Sequence, residues 1–126
     1  AIKRLLGSLG TEVLVSDEKT IDMATAVSGS GPAYAFLFIE ALIDAAVYIG
    51  MSRYLARQLA TQTLLGSATP ALQPDQHLAQ LPDMVTSPGG TTAEGLLALE
   101  EGEFRSVVMN AVIAAYAKSK ELGKEQ

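Results

Sequence analysis

The 126-residue chain contains no cysteine and only one histidine. Without cysteine it can form neither a disulfide framework nor a thiolate metal site, and a single histidine leaves a ligand set dominated by carboxylates. We therefore expect no metal centre. The lack of cysteine also agrees with a reducing compartment, and we expect a cytoplasmic protein.

Positive charge is scarce as well. Nine Lys and Arg residues stand against fourteen Asp and Glu residues, which gives a net charge of -5. This is the wrong sign for a protein that follows phosphate backbones, and no local cluster of basic residues forms an exception. We expect no nucleic-acid partner.

Apolar residues are plentiful: 48% of the chain is hydrophobic, 18% is charged, and the mean hydropathy is +0.24. This composition excludes a disordered chain, because it can bury enough apolar surface to offset the entropy lost on ordering. The length allows one core. The sequence has no recognisable targeting segment and no initiator Met, and it opens in an apolar, helix-like pattern, so we expect a fragment of a longer protein.

Only residues 11–15 (TEVLV) carry a β signal, bounded by Gly10 and Ser16. This predicts one short strand that could pair only with chain preceding it. After Asp22 the spacing of Ala and Leu is helical.

The longest apolar run covers residues 33–49, between Pro32 and Gly50, and only Glu40 and Asp44 interrupt it. Pro suits the first turn of a helix and Gly the position just past its end. A membrane span has this length, but each carboxylate near its middle would cost about 2.5–3.5 kcal/mol. We therefore expect no membrane and a helix covered on all sides, in part by a second subunit.

The remaining sequence predicts an amphipathic helix over residues 52–72, short turns over 75–81, and two further helices. The first of these helices starts at Thr92 and stops at Gly102, and the second runs onward from Phe104. His77, among polar residues, is interpreted as a solvated side chain.

Residues 85–94 (VTSPGGTTAE) are the most informative stretch. Thr91 and Glu94 stand at capping-box spacing, which predicts a helix start at Thr92 after a tight Pro-Gly-Gly loop. Backbone N–H groups at such a start attract anions, and glycines leave room for a ligand to approach. The stretch suits a small carboxylate, and the alternative is a well-capped turn that binds nothing.

Two further patterns are weaker. Residues 28–33 (SGSGPA) contain part of a dinucleotide fingerprint, but no strand precedes them and Pro32 follows at once, so we interpret them as a small-residue break between helices. Glu40 and Asp44 lie one helical turn apart and could act as an acid pair or metal ligands. With no third ligand in reach, these two residues are better explained as the more solvated side of an otherwise buried helix.

Four stretches together resemble the C-terminal half of pyrroline-5-carboxylate reductase. They are residues 28–34 (SGSGPAY), 84–92 (MVTSPGGTT), 99–102 (LEEG) and 104–105 (FR). The resemblance covers essentially the whole chain, and residues 1–15 are similar to the last helix and strand of that family's N-terminal domain.

The resemblance implies a fold and an activity. Enzymes of this family reduce 1-pyrroline-5-carboxylate to L-proline with NADPH or NADH, the last step of proline synthesis. They join a Rossmann domain to an all-helical domain that forms an interlocked homodimer, and in many members the dimers assemble into rings. The implied organisation is all-α: residues 17–126 form the dimerisation domain, preceded by residues 1–16, a remnant helix and strand of an otherwise absent Rossmann domain.

The resemblance also implies a site. The substrate carboxylate would be held by Ser87, Gly89, Gly90, Thr91 and Thr92. The hydroxyl of Thr92, the catalytic candidate, would lie near the ring nitrogen. The nucleotide fingerprint is missing, so we expect no cofactor site on this chain and no activity from it alone.

Two alternatives remain open at this point. One is a purely structural helical dimerisation module, and the other is the helical domain of a β-hydroxyacid dehydrogenase. Residues 87–92 (SPGGTT) do not resemble the segments of those dehydrogenases.

Overall fold

A computed structural model of the chain describes residues 1–125. Its helices are α1 (Ile2–Gly7), α2 (Glu18–Ala24), α3 (Gly31–Tyr48), α4 (Arg53–Ala71), α5 (Thr91–Glu101) and α6 (Phe104–Lys124). A π-helical turn, Thr25–Gly29, joins α2 to α3, and two 3-10 turns, Leu78–Gln80 and Pro82–Val85, lie between α4 and α5. Residues 1–125 contain no β-strand, which confirms the all-α fold.

The strand predicted at residues 11–15 is therefore wrong for this chain. Residues 11–16 have no regular secondary structure, and Leu14 is 91% exposed. A strand needs a neighbour to complete its backbone hydrogen bonds, and no other segment among residues 1–125 is extended beside it.

The helical part begins at a well-defined cap. The Asp17 carboxylate accepts hydrogen bonds from Thr20 N (2.7 Å) and Thr20 Oγ1 (2.8 Å). These bonds, the backbone one first, hold the pKa of Asp17 below its usual range. The cap is therefore present at neutral pH and is lost only as the pH falls through that lowered pKa.

The predicted break at residues 28–31 is a π-turn within continuous helix. Ser30 N donates to Thr25 O at 2.9 Å, five residues back, and Pro32 then occupies the first turn of α3. Pro32 has no backbone N–H, so it cannot extend the α-helical pattern of hydrogen bonds. The π-turn before it accommodates this missing donor. Ala26 in this turn is fully buried, and the turn packs against α6.

Together α2, the π-turn and α3 form a helical stretch of 31 residues that is long and apolar enough, by length and composition alone, to cross a membrane. The core helix of a soluble protein meets the same criterion. The absence of a membrane therefore stays a prediction.

The antiparallel pair α3 and α4 provides the small core of the chain. Ile43 packs against Ala56 and Ala60, whose small side chains let the two helices approach closely. Asp44 forms an exposed ion pair with Arg53 at 3.0 Å, so it has a structural partner. Among residues 1–125, no group of three His, Cys, Asp or Glu side chains could hold a metal ion.

Helix α6 is fastened to the first half of the chain by polar and aromatic contacts. Ser119 Oγ donates to Asp22 Oδ1 at 2.7 Å. The centroids of the Phe38 and Phe104 rings lie 6.0 Å apart, and the ring planes are tilted by 51°. Aromatic pairs favour tilted arrangements of this kind. These contacts join α6 to α2 and α3.

Most apolar side chains are nevertheless uncovered. Only four hydrophobic residues are buried among those described, Ala26, Ile43, Ala56 and Ala60, and the surface area is 10,463 Å². A compact monomer of this mass would expose about 6,400 Å². The chain by itself therefore exposes roughly 4,000 Å² more than a compact monomer of its mass, which favours a partner surface.

Candidate functional site

The approach to α5 is a tight turn formed by residues 87–90. Gly90 N donates to Ser87 O at 3.0 Å, and Gly89 has φ +67°. These are features of a type II turn, in which Pro suits the second position and the third requires positive φ. The Pro-Gly sequence at positions 88 and 89 thus has a direct conformational reason.

Gly90 is required for a different reason, which is space. A Cβ atom at this position would lie 2.5 Å from Ser87 Oγ and 3.1 Å from Ser87 O. The first atom could move by rotation of a flexible side chain, but the second belongs to the backbone of the turn. Any larger residue at position 90 would therefore require the Ser87 side chain to rotate and the backbone of the turn to shift.

The structure corrects the predicted helix start. The N-cap of α5 is Gly90, the helix begins at Thr91, and no side chain caps it within the described chain. The predicted capping box of Thr91 and Glu94 is wrong. Because Gly90 is the N-cap, Glu94 is the fourth residue of the helix, one position beyond the third, which a capping box requires. The backbone N–H of Glu94 instead donates to Gly90 O at 3.3 Å.

The uncapped start of α5 favours anion binding. The first N–H groups of a helix have no acceptor within the helix, and here no side-chain oxygen takes that role. The amides of Thr91 and Thr92 are thus presented at the positive end of the helix dipole. These amides can bind a carboxylate. In the expected capping box, the hydroxyl of Thr91 would have accepted one of the amide hydrogen bonds itself.

The five predicted site residues lie within six consecutive positions, residues 87–92. Ser87, Gly89 and Thr91 are exposed, whereas Gly90 and Thr92 are partly buried. The structure thus brings all of them to one turn and the helix start that follows it.

Thr92 also lines a groove of about 510 Å³ between the end of α4, the two 3-10 turns and the start of α5. The other lining residues are Gly66, Ser67, Pro70, Ala71, Leu78, Leu81, Pro82, Met84, Val85 and Leu96. Thr92 and Ser67 are the hydroxyl-bearing residues in this lining, and the rest is apolar apart from backbone. The Thr92 side chain therefore lies where a polar turn meets an apolar wall.

Sequence reasoning missed two supporting residues. Thr86 Oγ1 donates to Pro82 O at 2.5 Å and ties the loop to the second 3-10 turn. His77, although exposed as expected, accepts a hydrogen bond from Ala79 N at its Nδ1 atom (3.2 Å) and is the N-cap of the first 3-10 turn. A polar residue directly before a short turn is the signal that could have indicated this role.

Residues 28–31 lie elsewhere and do not form a nucleotide loop. They follow α2 instead of a strand, and Ser28 and Gly29 line a groove of about 680 Å³ that includes Val13 and Ile21. A Rossmann phosphate loop connects a strand to a helix.

Comparison with known proteins gives consistent matches. A family model described as pyrroline-5-carboxylate reductase dimerisation matches residues 18–122. A pyrroline-5-carboxylate reductase of Arabidopsis thaliana is 50% identical over 123 residues, which are 98% of this chain and 44% of that protein. One of Pisum sativum is 51% identical over 121 residues, covering 96% of this chain and 44% of that protein.

A solved structure agrees with these sequence matches. The crystal structure of Plasmodium falciparum pyrroline carboxylate reductase with NADP bound aligns with a TM-score of 0.88 at 48% identity. The alignment covers 97% of this chain and 46% of that one. The chain thus spans a little under half the length of the relatives it matches.

Proposed function

Because the chain belongs to the pyrroline-5-carboxylate reductase dimerisation family, we propose that it is the dimerisation and carboxylate-binding part of an NAD(P)H-dependent enzyme that reduces 1-pyrroline-5-carboxylate to L-proline. The observation that carries the proposal is the turn at residues 87–90 followed by the uncapped start of α5. This family membership disfavours the helical domain of a β-hydroxyacid dehydrogenase.

The division of the chain follows from the same proposal. Residues 17–126 form the helical domain, of which Gln126 lies outside the described residues, and residues 1–16 are the end of a nucleotide-binding domain. Support comes from the family match, which starts at residue 18, and from the unpaired segment 11–16 that precedes it. Two copies would cover the apolar surfaces of α3 and α6, and the dimers could assemble further into rings.

The chemistry proposed for the loop is orientation and charge complementarity. The amides of Gly89, Thr91 and Thr92, with the Ser87 hydroxyl, hold the carboxylate of the substrate, and Gly90, whose own N–H closes the turn on Ser87 O, keeps them in place. The Thr92 hydroxyl then lies beside the ring nitrogen, to which it can donate or from which it can accept a hydrogen bond. A site that holds the imine in one orientation lowers the entropic part of the barrier to its reduction.

The proposed reaction requires a nicotinamide cofactor. A bound nicotinamide nucleotide supplies the hydride that reduces the C=N carbon. The Plasmodium falciparum relative was solved with NADP bound. In this chain residues 28–31 do not fit a nucleotide loop, so we place the cofactor on the nucleotide-binding domain and expect the 126-residue chain alone to be inactive.

The role of Thr92 is tested by Thr92→Ala in the complete enzyme. We expect kcat to fall about 100-fold, because removal of one positioned hydrogen-bonding group near the reacting atoms typically has an effect of this size. Steady-state kinetics and thermal melting together check the expectation.

A matched control is Thr63→Ala on α4, which also removes a threonine hydroxyl from a helix; Thr63 Oγ1 donates to Leu59 O at 2.7 Å. This variant should keep full activity. If Thr92→Ala instead melted several degrees lower and kept its turnover number, the Thr92 hydroxyl would be structural and the proposed role wrong.

The carboxylate site itself is tested by titrating L-proline into the isotopically labelled 126-residue chain and following amide NMR shifts. We expect weak, roughly millimolar binding, since a few hydrogen bonds to one carboxylate must offset the freedom lost on association. The shifts should concentrate at Gly89, Gly90, Thr91 and Thr92. NADPH is the control ligand and should cause none.

Two outcomes would contradict the proposal. Shifts from NADPH near residues 28–31 would place a nucleotide where the structure offers no loop for it. No response to L-proline at residues 87–92 would favour the purely structural dimerisation module.

A further inference from the structure

The corner between α5 and α6 contains two stretches that the proposed function leaves without a role, residues 99–102 (LEEG) and 104–105 (FR). The guanidinium group of Arg105 donates from Nε to Glu100 Oε1 at 2.6 Å, and both side chains are exposed. Glu100 belongs to the last turn of α5 and Arg105 to the first turn of α6. One short ion pair therefore connects the two helices across the corner.

The backbone of the corner adopts an unusual conformation. Gly102 N donates to Ala98 O and Glu103 N donates to Glu100 O, both at 3.0 Å. Glu103 has φ +58°, and among residues 1–125 it is the one residue other than glycine with a positive φ. Residues with side chains seldom adopt this left-handed conformation, and they keep it only where surrounding contacts hold it. The ion pair beside Glu103 is such a contact.

The two charges of the pair lie at helix ends where the helix dipoles disfavour them. A helix dipole favours anions in the first turn and cations in the last turn. Glu100 in the last turn of α5 and Arg105 in the first turn of α6 have the opposite arrangement. Arg105 is also the only Lys or Arg between Arg57 and Lys118. Stabilisation of either helix by itself therefore does not explain these charges, whereas a bond between the helices does.

The start of α6 is anchored next to this pair. Phe104, the first residue of α6, packs against Phe38 of α3 with ring centroids 6.0 Å apart. Of the helices and turns in residues 1–125, α6 is the one that α5 contacts most. The direction of α5 relative to α3 and α6 therefore depends on the corner, and the ion pair ties α5 to the anchored end of α6.

The carboxylate-binding turn at residues 87–90 lies at the opposite end of α5. Gly90 is both the last residue of this turn and the N-cap of the helix, and Glu94 N donates to Gly90 O at 3.3 Å. The turn thus continues directly into the helix and moves with it. With 11 residues, α5 is about 16 Å long, and a tilt of about 10° at the corner would move the turn by about 3 Å.

We propose that Arg105 is a positioning residue: its ion pair with Glu100 fixes the direction of α5 and thereby holds the carboxylate-binding turn in place for the substrate. Without the pair, α5 adopts several directions, and the site is competent for only part of the time. The apparent affinity for the substrate then falls by that fraction, whereas the turnover number of the bound complex does not change. The inference rests on the proposed function for its ligand, but the direction of α5 can be measured without any ligand.

The test uses two changes to the ion pair and one matched control. Arg105→Gln removes the cation, and the double substitution Glu100→Arg with Arg105→Glu restores a pair with the charges exchanged. The control is Arg53→Gln, which breaks the exposed ion pair of Asp44 and Arg53 (3.0 Å) between α3 and the start of α4.

Two measurements are made on each variant. In the isotopically labelled 126-residue chain, residual dipolar couplings of the backbone amides report the direction of α5 relative to α6 and need no ligand. In the complete enzyme, steady-state kinetics give KM and kcat for 1-pyrroline-5-carboxylate. A thermal melt of each variant shows whether the fold itself is affected.

In Arg105→Gln we expect the couplings of α5 to be reduced relative to those of α6, because α5 moves. KM should rise about five-fold, near the upper limit for one exposed ion pair, and kcat should change by less than about two-fold. The melting temperature should stay close to the unsubstituted value, since loss of a disfavoured cation at the start of α6 offsets loss of the pair. The exchanged pair should restore the couplings and KM, and Arg53→Gln should change neither.

Unchanged α5 couplings in Arg105→Gln would overturn the inference. Reduced couplings with an unchanged KM would show that the direction of α5 does not affect the substrate, and would overturn the effect on binding. If the complete enzyme does not reduce 1-pyrroline-5-carboxylate but the couplings still depend on Arg105, the proposed function fails and the role of Arg105 in orienting α5 stands.

Discussion

Gly90→Ala is expected to lower kcat/KM of the complete enzyme by about 100-fold, because the turn that holds the substrate must move to admit the added methyl group and a misplaced substrate can react about 100-fold more slowly. The added Cβ would lie 3.1 Å from the carbonyl oxygen of Ser87, a backbone atom of the turn. The Ser87 hydroxyl, at 2.5 Å, must also move. The carboxylate would then meet amides that point in the wrong directions.

A matched control is Gly95→Ala within α5. A Cβ at position 95 meets no atom within 4 Å, so it adds no clash. Replacing glycine by alanine inside a helix stabilises it by about 0.5–1 kcal/mol, and this variant should melt at a higher temperature. Enzyme assays and thermal melts of both variants decide the matter; undiminished activity in Gly90→Ala would show that the turn does not hold the substrate.

The second large effect is expected at the subunit interface. At low micromolar concentration the unsubstituted chain should sediment with twice its own mass, and Leu37→Asp should lose the dimer with at least about a 100-fold rise in the dissociation constant. Leu37 is 68% exposed within one chain and lines an apolar groove with Phe104 and Val107. A carboxylate buried there without a partner would cost several kcal/mol, more than enough for this change.

Gln76→Asp supplies the control for this experiment. Gln76 is exposed between two polar residues, Asp75 and His77, in the segment after α4, so the substitution adds the same charge away from the apolar grooves. It should leave the dimer intact. A folded, monodisperse monomer of the unsubstituted chain would contradict the interface altogether, since it would show that the excess exposed surface needs no partner.

The sequence by itself determined the features that depend on local chemistry. Pro32 and Gly50 mark the ends of α3 to within one residue, because one has no N–H to donate and the other adopts φ +111°. Residues 28–34, 84–92, 99–102 and 104–105 together carry the family resemblance, and the Pro-Gly pair at positions 88 and 89 predicts the tight turn. These signals act within a few residues of chain, so no tertiary information is needed to use them.

Only the tertiary structure decided the features that depend on contacts beyond the local sequence. Residues 11–15 have strand propensity but no neighbour with which to pair. The 31-residue helical stretch continues through glycines in a π-turn that packs against α6 and contains the fully buried Ala26. At the site, spacing favoured Thr91 as the cap, whereas the turn geometry made Gly90 the cap. Propensity and spacing describe what a segment can form by itself; packing and backbone direction at the junctions select among those possibilities.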